Sequence, residues 1–330
     1  MYCIELNQTQ IKMIVILLLI GLGLIVLGAD WLVDGASSVA RRMGVSEFVI
    51  GLTIVGFGTS CPELVVSLTG ALEGNSAISL GNVVGSNIFN ILFILGLTSV
   101  ILPVSMTDKN RGRDIPICLA ATTVLLLFGM TDALLGAGRS NMLSRWEGGI
   151  LLLLFAGYMG FCFKTDKGGA TEESASQKTL PVWKAVGLIV AGLAGLVFGG
   201  ELFVDNATEL ARSLGVSDKF IAVTILAGGT SLPELATCIV AAAKGKDLLA
   251  LGNILGSNVF NALFILATAS VISPVSFDSM MLGDVVAFLS SAILLLIWAY
   301  SGRRNRIDRW EGAVMLLCFA AYYAYLFREL

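Results

Sequence analysis

The sequence predicts an all-α membrane protein of about ten transmembrane helices, arranged as two inverted-topology five-helix repeats with discontinuous helices at the midplane. Three observations predict it. Of 330 residues, 56% are hydrophobic and 14% charged, whereas soluble domains carry roughly 25% charged residues. The chain divides into apolar runs of about the 20 residues that a spanning helix needs. A stretch in the first half, Gly56-Phe57-Gly58-Thr59-Ser60-Cys61-Pro62-Glu63, returns in the second as Ala227-Gly228-Gly229-Thr230-Ser231-Leu232-Pro233-Glu234.

The spans are expected at 11–34, 47–72, 77–101, 114–131, 146–163, 182–205, 217–243, 248–272, 283–300 and 309–327. The first is too long for the apolar region of a typical signal peptide. Its flank Met1–Gln10 carries Glu5 and no cation, so it reads as a membrane helix. Trp31, Trp146, Trp183, Trp298 and Trp310 fall near predicted helix ends, where indole rings anchor at the interface. The 37 glycines suit close helix packing in lipid. An even number of spans puts both termini on one side. With the termini outside, Lys12, Arg139, Arg145, Arg212, Lys219 and Arg328 are outer cations and the rest of the 21 are inner. The positive-inside rule therefore places both termini outside. The segment 164–181 is polar, lacks aromatics and reads as a flexible cytoplasmic linker between a first repeat, 1–163, and a second, 182–330.

Residues 28–105 align with 199–276 without a gap at a constant offset of 171, and about half of the positions are identical. Asp34 meets Asp205, Gly81-Asn82 meets Gly252-Asn253, and Pro103-Val104-Ser105 meets Pro274-Val275-Ser276. The strongest segments are 51–105 and 222–276. Arg145-Trp146-Glu147-Gly148 and Arg309-Trp310-Glu311-Gly312 open the last span of each half. Five spans is an odd number, so the second half enters the membrane inverted, as in many secondary transporters with interrupted helices at the midplane.

A glutamate at membrane depth marks an ion or substrate pathway. Thr59 and Glu63 are four residues apart and share a helical face. Pro62 has no N–H, which frees the Gly58 carbonyl, and Gly56 and Gly58 ease local unwinding. The next span carries Asn82, Ser86 and Asn90 as a polar stripe, and Gly81 and Gly85 as a small pair that permits close helix approach. The second half repeats this with Asn253, Ser257, Asn261, Gly252 and Gly256. All these candidate ligands are oxygen, the donor that suits Ca²⁺, Mg²⁺ and Na⁺. Glu63 and Glu234, both ionised, balance one Ca²⁺ or two Na⁺. Two close carboxylates are also able to hold a proton, so proton coupling stays open.

Blander roles compete. Ser and Thr in membrane helices often only bridge helices, and Asn82 and Asn253 read better as interhelical glue than as ligands. Asp30, Asp34, Glu201 and Asp205 lie near helix ends, where they reach water; their minor role would be to attract cations. The sequence has no histidine, and a net charge of −3 without a basic block speaks against nucleic acid. Of six cysteines, all but Cys3 sit in apolar segments, so no disulfide framework is expected. A duplicated site without histidine also disfavours a membrane-embedded hydrolase, since catalytic pairs need unlike roles; a passive channel is the remaining alternative. No cofactor and no obligate protein partner are inferred; lipid is the surrounding medium.

Gly-Thr-Ser-x-Pro-Glu followed by Gly-Asn-x-x-Gly-Ser-Asn-x-x-Asn, present in both halves, resembles the two alpha-repeat motifs of the sodium/calcium exchanger family, in its short prokaryotic form. The resemblance implies an antiporter, not an enzyme, that exchanges Ca²⁺ for Na⁺ in an inner membrane, with a Ca²⁺/H⁺ or other divalent cation/H⁺ exchanger as the alternative. It implies Glu63 and Glu234 as shared ligands, oxygens from Thr59, Ser60, Thr230 and Ser231, and Ser86 and Ser257 at outer Na⁺ positions. The carbonyls of Gly56 and Ala227 occupy matching ligand positions, and Asn90 and Asn261 close the middle. Some relatives carry Asp at one of that last pair, notably the potassium-dependent ones; two asparagines argue against potassium coupling. The resemblance also implies that the first and sixth spans slide across the core, through Gly21, Gly23, Gly28, Gly192, Gly195, Gly199 and Gly200.

Overall fold

The computed structural model describes residues 8–131, 136, 141–166, 179–216, 221–301 and 305–329. The helices are α1 Gln8–Met43, α2 Glu47–Thr59, α3 Cys61–Leu72, α4 Ser76–Ile101, α5 Asn110–Gly129, α6 Arg145–Thr165 and α7 Val182–Ser213. Then follow α8 (Ala222–Leu226 running into Ala227–Gly229), α9 Leu232–Ala243, α10 Asp247–Ile272, α11 Leu282–Tyr300 and α12 Arg309–Glu329. Eight of these are each long and apolar enough to cross a bilayer, and α2 with α3 forms a ninth, bent by 50°. The seventh expected span is present as the shorter pieces α8 and α9; residues 217–220 and most of the linker, 167–178, lie outside the described residues.

Two expected boundaries move. The first and sixth spans were expected to end at 34 and 205, at their acidic residues; α1 runs on to Met43 and α7 to Ser213. The extension of α1 is held by small residues: Ala36, Ser37, Ser38 and Ala40 are all buried. Trp31 therefore sits within α1, not near its end. α1 and α7 pack against each other through glycine. A methyl on Gly28 would lie 2.7 Å from the Gly192 carbonyl, and one on Gly192 would lie 2.7 Å from that of Gly28. Gly23 and Gly200 face open space and take no part in this contact.

The breaks in the helices follow from the sequence. α2 ends at Ser60 (φ −85, ψ 9) and α8 gives way at Ser231 (φ −90, ψ 7), a backbone region populated mainly at turns. Pro62 and Pro233 then start α3 and α9, where a missing N–H removes no helical hydrogen bond. Further on, α4 widens into a π-helical stretch at Phe89–Leu95, and α10 does so at Asn261–Ile265. Such bulges often mark functional positions. The Arg-Trp-Glu-Gly echo is a helix start: Glu147 accepts from the Ser144 N–H at 2.8 Å, and Glu311 from the Asp308 N–H at 2.7 Å.

α4 and α10 form the centre; in their most apolar windows 67% and 83% of residues are buried, against 22% for α1 and 17% for α12. Two short antiparallel ladders link the halves. β1 (Val104–Ser105) pairs with β4 (Arg306–Ile307), and β2 (Met142–Leu143) pairs with β3 (Val275–Ser276).

The two small-residue pairs behave differently. Methyls on Gly252 or Gly256 would collide with the backbone carbonyls of Phe48 and Leu52, so α2 rests directly on α10. Gly81 and Gly85 have nothing within 4 Å of a built methyl. Among the described residues, then, no close helix approach is seen at that pair; residues 217–220, which match part of the α2 start, lie outside them.

Candidate ion-binding site

The helix breaks at Ser60 and Ser231 put Glu63 and Glu234 in the first turns of α3 and α9, and both are fully buried. One oxygen of each is held by two serines, one from each half. Glu63 Oε1 accepts from Ser231 Oγ at 3.1 Å and Ser86 Oγ at 3.3 Å. Glu234 Oε1 accepts from Ser60 Oγ at 2.8 Å and Ser257 Oγ at 3.3 Å. Ser86 and Ser231 are themselves 3.2 Å apart. The two motifs therefore interlock around both carboxylates.

The other oxygen of each glutamate has no donor. Glu63 Oε2, Glu234 Oε2, Asn90 Oδ1 and Asn261 Oδ1 are all buried acceptors without a hydrogen-bond partner. Leaving a buried acceptor unsatisfied costs about 1–3 kcal/mol, and more when it is charged. Here two carboxylate and two amide oxygens are left so, two from each half. A hard cation is the partner that such a donor-free, all-oxygen set fits.

The structure brings together most of the residues expected from sequence: Ser231 and Ser86 touch Glu63, and Ser60 and Ser257 touch Glu234. Asn90 and Asn261 lie in the same buried layer, Asn261 Nδ2 donating to Ser86 Oγ at 3.1 Å. Thr59 Oγ1 donates to Asn253 Oδ1 at 3.1 Å, which leaves its lone pairs free, and Thr230 is half-buried at the rim. The Gly56 carbonyl accepts from the Ser60 N–H at 3.1 Å, which engages one of its two lone pairs. Ala227 opens the short helix Ala227–Gly229 at the matching place. Asn82 and Asn253 act as glue. Asn82 Nδ2 donates to the Glu63 carbonyl at 3.0 Å and to Ser67 Oγ at 2.9 Å; Asn253 Nδ2 reaches Cys238 Sγ at 3.3 Å.

Two buried residues went unassigned in the sequence reading. Asn87 and Asn258 lie behind Asn90 and Asn261 and bond to them across the two halves. Their signal was the third residue of Gly-Ser-Asn, which is duplicated but carries no spacing that reveals its partner.

The model of the family described as sodium/calcium exchanger protein matches residues 13–164 and again 184–328. The chain belongs to the sodium/calcium exchanger family. Sodium/calcium exchanger MaX1 from Methanosarcina acetivorans is 31% identical over 94% of this chain and 98% of its own length. Inner membrane protein YrbG from Escherichia coli is 34% identical over 88% of this chain and 90% of its own. The sodium-calcium exchanger NCX_Mj, solved after soaking with Na⁺ and Ca²⁺, superposes with a TM-score of 0.80 at 32% identity, covering 94% of this chain and 98% of that one.

The two flanks of the site in this exchanger-family chain are unlike. On one, α1 packs along α9, and Lys244 Nζ lies 2.7 Å from carboxylate oxygens of both Asp30 and Asp34. On the other, the matching faces of α7 and α3 are separated by a cavity of about 400 Å³. Cys61, Pro62, Glu201, Asp205 and Thr230 are in its lining. Among the described residues no cation pairs with Glu201 or Asp205. The counterpart of Lys244 at the offset of 171 is Glu73.

Proposed function

We propose that the chain is a secondary active antiporter that exchanges Ca²⁺ for Na⁺ by alternating access, without covalent chemistry. Glu63 and Glu234 serve as the shared ligands. Thr59, Thr230, Ser60, Ser231, Ser86, Ser257, Asn90 and Asn261, with the carbonyls of Gly56 and Ala227, supply the remaining oxygens. The observation that carries this reading is the set of four buried oxygens without donors, Oε2 of Glu63 and Glu234 and Oδ1 of Asn90 and Asn261. Ca²⁺ takes six to eight oxygens, and the charge of −2 on two carboxylates matches one Ca²⁺ or two Na⁺. Competition for that one charge gives exchange once the site opens to only one side at a time. The halves 1–163 and 182–330 act as the two inverted units, joined by 164–181, with both termini outside an inner membrane. The names of MaX1 and NCX_Mj support sodium as the counter-ion, and that of YrbG supports the membrane.

The test is Ca²⁺ uptake into proteoliposomes loaded with Na⁺, beside K⁺-loaded and pH-gradient controls. Uptake that needs internal Na⁺ and survives collapse of the pH gradient is the expected result. Uptake that follows the pH gradient and ignores Na⁺ would make the same pair of glutamates a proton-coupled site. Flux without any counter-ion would indicate a channel.

A further inference from the structure

The side-chain amide of asparagine is nearly symmetric in shape and opposite in polarity at its two ends. Turned one way, Asn90 and Asn261 offer oxygen to a cation; turned the other, they present an NH₂ group that repels it. We propose that Asn87 and Asn258 are positioning residues that lock these two amides oxygen-inward, each acting on the asparagine of the other half. This inference rests on the ion-site reading above.

The polarity is fixed from backbone carbonyls, which only accept. The Asn258 carbonyl accepts from Asn87 Nδ2 at 3.1 Å. Asn87 is thereby oriented, and its Oδ1 faces Asn261, where it accepts from Nδ2 at 2.9 Å. Asn261 Nδ2 also donates to Ser86 Oγ at 3.1 Å, so both of its hydrogens have partners and its Oδ1 is turned away from every donor. The second sequence mirrors the first. The Asn87 carbonyl accepts from Asn258 Nδ2 at 3.4 Å, Asn258 Oδ1 accepts from Asn90 Nδ2 at 3.0 Å, and Asn90 Oδ1 is left without a donor. None of the four side chains is more than 2% exposed, so bulk solvent reaches none of the links. The polarity of each site amide is thus set two bonds away, by the main chain of its own half, relayed through an asparagine of the opposite half.

The experiment is Ca²⁺ titration of the purified full chain by calorimetry, with the Ca²⁺-induced rise in melting temperature as a second readout. In Asn87→Leu the Asn261 amide loses its acceptor, and Ca²⁺ affinity is expected to fall about tenfold, the effect of one buried donor left unpaired. The transport rate at saturating Ca²⁺ should be retained. The decisive arm adds Asn261→Asp. A carboxylate has two like oxygens and no wrong way round, so in that background Asn87→Leu should cost no affinity. Asn258→Leu with Asn90→Asp forms the mirror cycle, which carries the test if Asn87→Leu does not fold. Wild-type affinity in both Leu variants would overturn the proposal. An equal loss with and without the aspartate would also overturn it, because that is what a packing role produces. A wild-type chain that binds neither Ca²⁺ nor Na⁺ would bring down the ion-site reading itself, and this inference with it.

Discussion

Glu63→Gln separates charge from shape at the centre of the site. The glutamine oxygen still accepts from Ser231 and Ser86, which now bond Oε1 at 3.1 and 3.3 Å. The group that changes is Oε2, the buried oxygen without a donor, which becomes an NH₂. The unloaded chain then loses a buried charge and should melt no lower than wild type. A bound Ca²⁺ loses half of its compensating charge. Removing one partner of a buried ion pair costs about 3–5 kcal/mol. At 1.4 kcal/mol per tenfold, that is a rise in the Ca²⁺ Kd of about two to three and a half orders of magnitude. Glu234→Gln should match it within a factor of about ten, because Glu234 has the same two-serine, one-orphan arrangement. The assay is calorimetric Ca²⁺ titration of both purified variants, with melting curves to certify the fold. A folded variant whose Kd stays within about fivefold of wild type would refute the assignment of that carboxylate as a ligand.

The remaining predictions turn on differences between the halves. Gly252→Ala should destabilise the chain by about 1–3 kcal/mol, because its methyl meets the Phe48 carbonyl, whereas Gly81→Ala should be neutral or stabilising by up to about 1 kcal/mol. Thermal unfolding in detergent compares the two, and equal effects would contradict the packing difference. Lys244→Ala should free α1 from α9 and shift the protein about two- to fivefold toward an arrangement with the α7–α3 cavity closed. The effect is small because Asp30 and Asp34 are about half exposed, at 45% and 52%. In a background with Cys3 and Cys318 replaced by serine, it is read as slower labelling of Cys61 by a membrane-impermeant maleimide; an unchanged rate would exclude such a latch. Partial burial acts to lower the Lys244 pKa, but hydrogen bonds to Asp30 and Asp34 outweigh it and raise it above the usual 10.5. A raised pKa contributes stability that is complete below 10.5 and lost as pH rises through the higher folded value. The melting difference between wild type and Lys244→Ala should therefore be flat from about pH 6 to 9 and shrink only above 10.5.

Much of this was legible because membrane depth makes polar residues informative. Glu63 and Glu234 had few readings besides an ion pathway, and Pro62 and Pro233 announced the breaks seen at Ser60 and Ser231. Two kinds of fact were not legible. One is long-range polarity. Asn87 lies 171 residues from the carbonyl that orients it, and no local spacing encodes that bond. The other is the difference between like sequences. Gly81 and Gly252 occupy the same motif, yet among the described residues only Gly252 meets a backbone carbonyl, and no motif encodes how a helix seats. Hydropathy also ended α1 and α7 too early, since it weighs Asp34 and Asp205 as membrane costs and does not see the small buried residues that follow Asp34.

The unlike flanks and the unpaired oxygens bear on the same requirement of an exchanger: that it not change sides unloaded. α2 is seated on Gly252 and Gly256, whereas no described residue lies as close to Gly81 and Gly85. A pair of packings that trade places is a two-state device of the kind that moves a site from one side to the other. The α7–α3 cavity extends to Thr230, and solvent entering it would lower the cost of charge nearby. Crossing over requires both flanks to be closed for a moment. Two ionised carboxylates with donorless oxygens then sit in a medium where each uncompensated charge costs several kcal/mol. A cation charge of two removes that cost, whether it arrives as one Ca²⁺ or two Na⁺, and a single Na⁺ removes only part of it. Under the proposed exchange, coupling would need no separate gate that senses occupancy, because the electrostatic barrier to closing over an uncompensated site would itself supply it.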